Sequence, residues 1–262
     1  METLMQNKVA LVTGAAGGIG AAVARALVGR GVRVAAVDRD AGRLGETVAA
    51  LAEDGHRIEA FPANVSDSAE VDAVVAAAES RLGPLDFLVN VAGVMRFKPV
   101  LDLTDEDWRT TFGVNADGVF HVSRAVVRAM VARGGGAVVT VASNAALVAR
   151  TGMAAYCASK AAATLFTKSL GLEVARYGIR CNVVAPGSTD TPMLTGMWDE
   201  EDESSRKATV EGSLENFKAG IPLGKLAVPS DVANAVLFLL SEEAGHITLH
   251  ELTVDGGATL GV

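Results

Sequence analysis

The chain has only two cysteines in 262 residues, and neither Cys157 nor Cys181 stands in a CxxC pair or at metal-ligand spacing. A disulfide scaffold is therefore excluded, no metal is expected, and both thiols read as reduced. Long apolar runs are also missing. The longest uncharged stretches, Val9–Ala24 and Gly134–Ala149, contain glycine and fall short of the roughly 20 residues a spanning helix needs, so no membrane segment is expected. Positive charge is in deficit: 23 Lys and Arg against 31 Asp and Glu leave a net charge of −8. That balance argues against nucleic acid or an anionic membrane as partner, since either needs a basic face. The N-terminus METLMQNK has no apolar core before Lys8 and no small-residue cleavage site, so it does not read as a secretory signal and the expected location is the cytoplasm.

What is present is apolar bulk. Half of the residues are hydrophobic and 21% are charged, enough to bury the core of one α/β domain spanning 1–262. Short β-branched runs recur at Val9–Val12, Val32–Val37, Ile58–Phe61, Phe87–Val89, Ala137–Val141, Ile179–Val184 and Leu252–Val254. Segments with helical spacing separate them, such as Ile19, Val23 and Leu27, or Val71, Val74, Val75 and Ala78 behind Asp67 and Glu70, which are placed like a capping box. Seven strands alternating with helices predict a doubly wound seven-stranded parallel sheet with helices on both faces. One stretch, 191–220, breaks this pattern, carries the acidic run Asp199–Glu203, and reads either as a mobile lid or as a solvated charged loop ahead of a helix starting near Ser230.

The first strand runs into Thr13-Gly14-Ala15-Ala16-Gly17-Gly18-Ile19-Gly20 and then directly into a helical stripe. Glycines at 14, 18 and 20 permit the turn and let the helix N-terminus approach a pyrophosphate, where free N–H groups and the helix dipole favour negative charge. Asp38 follows Gly20 by 18 residues at the end of the second strand, where an acidic side chain accepts hydrogen bonds from the adenosine ribose. The combination predicts a Rossmann fold that binds NAD, because a carboxylate at 38 repels the extra phosphate of NADP. Arg39, next to it, is the one residue that speaks for that phosphate.

Tyr156 and Lys160 stand four apart in an alanine-rich segment, so both project from one helical face. A nearby ammonium and a positive nicotinamide both favour the phenolate, which makes Tyr156 a candidate base for alcohol oxidation. Ser143 follows the fifth strand at its carboxyl end, where its hydroxyl can hold the substrate oxygen. Taken together, TGxxxGxG at 13–20, Asn90-Val91-Ala92-Gly93, Asn115, Ser143, YxxxK at 156–160 and Pro186-Gly187 resemble the short-chain dehydrogenase/reductase family over essentially the whole chain. The resemblance implies catalytic Asn115, Ser143, Tyr156 and Lys160, with Asn115 anchoring a water beside Lys160 and Lys160 also holding the nicotinamide ribose. It implies Ile19 at the phosphates, Asn64 and Val65 at the adenine, Asn90, Ala92 and Gly93 along the adenosine, and Pro186, Gly187, Thr189 and Thr191 around the carboxamide. Val91 and Asn64 depart from the family pattern, where asparagine and aspartate are usual. A homotetramer is also implied, with helices around Val119–Val131 and Ala154–Leu172 and the tail Gly256–Val262 at its interfaces.

A narrower likeness runs through Thr140–Ser143, Arg150–Met153, Arg180–Val184, Pro186–Thr191 and the C-terminus from His246. Within the family it is similar to dehydrogenases of an anionic cyclohexadiene carboxylate. Such a substrate wants a guanidinium near the nicotinamide, and Arg96 and Arg150 are both candidates for a bidentate clamp. A 2-hydroxy and a 2-amino ring fit this reading equally. More distant alternatives are an NADPH-dependent ketoreductase and a non-catalytic NAD-binding scaffold.

Overall fold

The computed structural model describes residues 5–53, 55, 57–198 and 203–261. Seven parallel strands, β1 (Val9–Thr13), β2 (Arg33–Asp38), β3 (Ile58–Pro62), β4 (Phe87–Asn90), β5 (Gly136–Val141), β6 (Ile179–Pro186) and, last in the chain, β9 (Glu251–Val254), form one sheet in the order β3-β2-β1-β4-β5-β6-β9. Each expected strand lies within a residue or two of its place.

Both faces of the sheet are covered, so alternate residues of one strand enter different cores. In β1, Ala10 and Val12 join one core and Val9 and Leu11 the other; Val34 and Ala36 separate from Ala35 and Val37 in β2 in the same way. Helices α1 (Gly18–Val28), α2 (Ala41–Ala52) and, near the C-terminus, α9 (Pro229–Leu240) close the first face through Val23, Leu27, Leu44, Leu51 and Leu237. Helices α3 (Ser68–Leu82), α5 (Gly118–Arg133) and α6 (Ala154–Val174) close the second through Val71, Val75, Val126, Met130 and Val174. Each fully buried leucine, such as Leu27, contributes about 2 kcal/mol by leaving water.

The capping of α3 differs from the expected reciprocal box. Asp67 accepts from the N–H groups of Ala69 and Glu70, but the Glu70 carboxylate accepts from Asn64 N at 2.8 Å. The reciprocal box belongs instead to Thr104 and Asp107 at the start of α4 (Asp105–Phe112).

The stretch 191–220 is more ordered than its sequence predicts. It holds α7 (Pro192–Thr195), α8 (Glu203–Glu211) and an antiparallel ribbon, β7 (Gly212–Ser213) with β8 (Lys218–Ala219). Leu194, Ile221, Leu226 and Ala258 form a small core of their own beneath it, with Met197, Trp198 and Val210 packed against them. These apolar residues are spaced too irregularly to read as one element. Of the acidic run, residues 199–202 lie outside the described residues. Among those described, no helix is long and apolar enough to cross a membrane, and no cluster of His, Cys, Asp and Glu could hold a metal ion.

Candidate active site

The strand order reverses between β1 and β4, and a crevice opens there at the carboxyl ends of the strands, as open α/β sheets require. Gly14 has φ +69°, and a Cβ at that position would stand 2.8 Å from Ala92 N. A Cβ on Gly20 would run into the Gly14 carbonyl oxygen. Only glycine at both places lets the β1 turn, the start of α1 and the exit of β4 meet. Thr13 Oγ1 pins that exit by accepting from Val91 N at 3.0 Å and Ala92 N at 3.1 Å. Helix α1 begins without a side-chain cap, so first-turn N–H groups are left for an anion. Asp38 stands at the rim, its carboxylate fixed by Ala16 N at 3.2 Å and Asp40 N at 3.0 Å. Asn64, on the far side, turns its side-chain oxygen into a local turn with Ser66.

A larger cleft of about 580 Å³ adjoins this cradle and shares Ile19, Val91, Gly93, Thr191 and Met193 with it. Its floor is the end of β5 and the first turns of α6. Ser143 follows β5, 8% exposed, and accepts from Ala145 N at 3.1 Å as the cap of a short 3₁₀ turn. Tyr156 and Lys160 project one turn apart from α6, with the Lys160 Nζ 5.7 Å from the Tyr156 ring centre. Lys160 is 5% exposed and donates to Val141 O at 3.0 Å.

Burial dominates the acid–base behaviour of this pair. It pushes the Tyr156 phenol up to about 12, against a hydrogen bond with Ser143 that pulls it down, and it brings the Lys160 ammonium down to about 8. Both shifts have one cause, since low-dielectric surroundings disfavour the charged form of either group. A second cation entering beside the phenol would tip it towards phenolate.

Asn115 sits behind the two, fully buried on a π-turn (Gly113–Asp117) between α4 and α5. Its side-chain oxygen accepts from Val94 N at 2.8 Å, and its nitrogen donates to Val94 O and to Ser159 Oγ, both at 2.9 Å. The exit of β4 is thereby tied to the helix that carries Tyr156 and Lys160. A Cβ on Gly93 would stand 3.3 Å from Lys160 Nζ and 3.4 Å from Asn115 Oδ1, so the backbone passes closely over both.

Residues 8–202 match the family model described as short chain dehydrogenase. The chain belongs to the short-chain dehydrogenase family. It is 56% identical over 258 residues to a 2,3-dihydro-2,3-dihydroxybenzoate dehydrogenase of Bacillus subtilis (strain 168), covering 98% of each chain. A protein of the same name from Escherichia coli (strain K12) is 43% identical, with 95% of this chain and 96% of that one covered. Among solved structures, an actinorhodin polyketide ketoreductase with NADPH superposes with TM-score 0.89 at 36% identity over 98% of both chains.

Measured against the short-chain dehydrogenase pattern, most predicted residues converge. Gly14, Gly18, Ile19 and Gly20 line the smaller part with Asp38, Arg39, Asn64, Val65, Ala92 and Gly93. Ser143, Tyr156, Lys160 and Arg150 line the larger part, as do Pro186, Gly187, Thr189 and Thr191. Asn90 does not join them. It is 3% exposed, and its side chain turns inward to donate to Ser123 Oγ at 3.0 Å and Thr140 Oγ1 at 3.3 Å. It braces the sheet below the cleft instead of lining it.

Arg96 also falls outside. Its guanidinium lies 3.6 Å from Asp107, whose carboxyl is held down to about 2 by Lys98 first and then by Thr104. That carboxylate draws both basic side chains towards the start of α4. Two basic residues of the cleft were not foreseen. Arg43, in the first turn of α2, lines the nucleotide part, and a Cβ on Gly17 would stand 2.8 Å from its guanidinium. Its position one turn beyond Arg39 was a readable signal. Lys218 enters the larger part from the β7–β8 ribbon, and nothing near it in sequence announces this.

Proposed function

We propose that this chain oxidises 2,3-dihydro-2,3-dihydroxybenzoate to 2,3-dihydroxybenzoate, a catechol of the kind used in siderophore assembly, with NAD as acceptor. The observation that carries the reading is end-to-end likeness to relatives of that name. The cleft chemistry supports it: three cations, Arg150, Lys160 and Lys218, line the larger part in a chain of net charge −8. An anionic ring suits such a wall.

The residues fit a dinucleotide, since the cradle at Gly14 and Gly20 has no room for a side chain and α1 is uncapped above it. Bound there, NAD supplies the hydride acceptor. Ser143 holds the C3 hydroxyl oxygen, Tyr156 takes its proton, and Lys160 favours the phenolate while reaching towards the ribose. Asn115 keeps the helix carrying both in register with the β4 exit. The C3–H hydride and the hydroxyl proton leave together, a ketone remains, and moving the C2 hydrogen to the C3 oxygen completes the catechol. Aromatisation makes the oxidation effectively one-way.

Adding NAD and the dihydrodiol acid to purified protein should produce NADH absorbance, with the 2-amino analogue tested in parallel. Preference for the amino compound would move the enzyme to anthranilate chemistry, preference for NADP would favour a ketoreductase, and silence with every pair would refute the oxidation.

The chain is further proposed to work as a homotetramer. Helices α5 and α6 leave Phe120, Leu165 and Leu172 exposed at 40%, 66% and 72%, an apolar face of the kind that oligomers cover. Light scattering should return about four times the 26.9 kDa of one chain. A single-chain mass would refute it.

A further inference from the structure

We propose that Lys218 is a specificity-determining residue, which together with Arg150 grips the carboxylate of the substrate in the cleft that Tyr156 also lines. This rests on the oxidation proposed above and assigns that reaction a recognition element from outside the main sheet.

The two cations arrive from separate parts of the fold. Arg150 lies half-buried on the connection between β5 and α6, and Lys218 half-buried on β8 of the ribbon, yet both line one cleft. They are close enough for the Arg150 charge to act on the Lys218 ammonium, which burial, the larger influence, already holds below its usual range. Neither makes an ion pair with any described residue, whereas Arg96, Lys98, Lys168 and Arg206 each do. Two like charges left unpaired at a partly desolvated wall raise the energy of the folded chain. An anion with two oxygens relieves that cost, and a carboxylate is the small group that meets a planar guanidinium and a point-charge ammonium together.

The ribbon is built to hold Lys218 in place. Gly212 has φ +87°, and a Cβ there would stand 2.5 Å from Lys218 O and 2.6 Å from Gly220 N. Ser213 pairs with Lys218 across the ribbon, and its hydroxyl accepts from Asn216 N at 3.2 Å and Nδ2 at 3.0 Å, closing the turn. Thr151, next to Arg150, reaches the ribbon through Asn216 O at 3.5 Å. Ser213, Asn216 and Lys218 line the cleft while Leu214 and Phe217 are each 91% exposed, so the ribbon presents one face to the ligand. Met95, Phe97, Met197 and Trp198 line the same cleft and offer apolar surface for a six-membered ring. Among the described lining residues there is no carboxylate to receive an ammonium, which favours the 2-hydroxy ring over the 2-amino one.

The test compares wild type, Lys218→Met and Lys218→Arg on 2,3-dihydro-2,3-dihydroxybenzoate and on the neutral dihydrodiol lacking the carboxylate. Lys218→Met should raise KM for the acid by about 10- to 100-fold, the worth of one charge-assisted contact. The kcat should change by less than about 3-fold, the pattern of lost uniform binding. The neutral diol should be unaffected and Lys218→Arg should recover most of the loss. An unchanged KM for the acid, or equal losses on both diols, overturns the grip while leaving the oxidation intact. If wild type reduces no NAD with either diol, the oxidation falls by itself. The grip is then judged by quenching of tryptophan fluorescence with 2,3-dihydroxybenzoate: a Kd weakened by the same factor in Lys218→Met upholds it, and an equal Kd refutes it.

Discussion

Tyr156→Phe is expected to lower kcat/KM for the dihydrodiol by about 100- to 10,000-fold, the usual worth of a positioned acid–base group. NADH binding should persist. The substitution removes one oxygen and keeps the ring of a residue that is 8% exposed, so the fold has little reason to respond. Only the proton acceptor beside Ser143 is lost. The pH profile carries a second part of this expectation. Burial pushes the phenol up to about 12 and brings the Lys160 ammonium down to about 8, so the protein alone keeps the phenol protonated at neutral pH. Oxidation needs the phenolate, and the rate should rise as the pH climbs from neutrality into the alkaline range, where the pair gives up a proton. Its apparent pKa belongs to Tyr156 and Lys160 jointly. In Tyr156→Phe that rise should disappear from whatever activity remains. Retention of more than about a tenth of the wild-type kcat/KM would remove Tyr156 from the role of base.

The cofactor test is nearly as large. Wild type should use NAD over NADP by about 100-fold, because a 2′-phosphate would meet the Asp38 carboxylate at a cost of several kcal/mol. Ala16 N and Asp40 N fix that carboxylate, so it cannot easily swing away. Asp38→Ser should reverse much of the preference, raising kcat/KM with NADP by about 10- to 100-fold and lowering it with NAD by about 10-fold. The reversal is available because Arg39 and Arg43 line the same rim and guanidinium groups take phosphate bidentately. Adding Arg43→Ala to Asp38→Ser should cancel most of the gain. Equal use of both cofactors by wild type would refute the assignment of Asp38 as the discriminating residue.

What could be read from the sequence was local chemistry repeated along the chain. Strands buried on both faces must be short apolar β-branched runs, so Val9–Val12 and Ile179–Val184 were visible without a structure. The glycine turn announces itself because only residues lacking Cβ fit between Gly14, Gly20 and Ala92. Tyr156 and Lys160 pair through helical spacing alone. These signals lie within a turn or two of one another, where backbone geometry decides what meets.

The tertiary structure decided the rest, through contacts between residues distant in sequence. Arg96 and Arg150 were equivalent candidates until Asp107, at the start of α4, drew Arg96 aside and left Arg150 facing the cleft. Asn90 carries a family motif, yet Ser123 and Thr140 turn its side chain into the core. Lys218 lies 68 residues from Arg150 in the sequence on a ribbon of two-residue strands, too short to leave any periodicity. A charge acquires its role from what surrounds it in three dimensions, because Coulomb attraction and desolvation depend on distance and burial and not on sequence order.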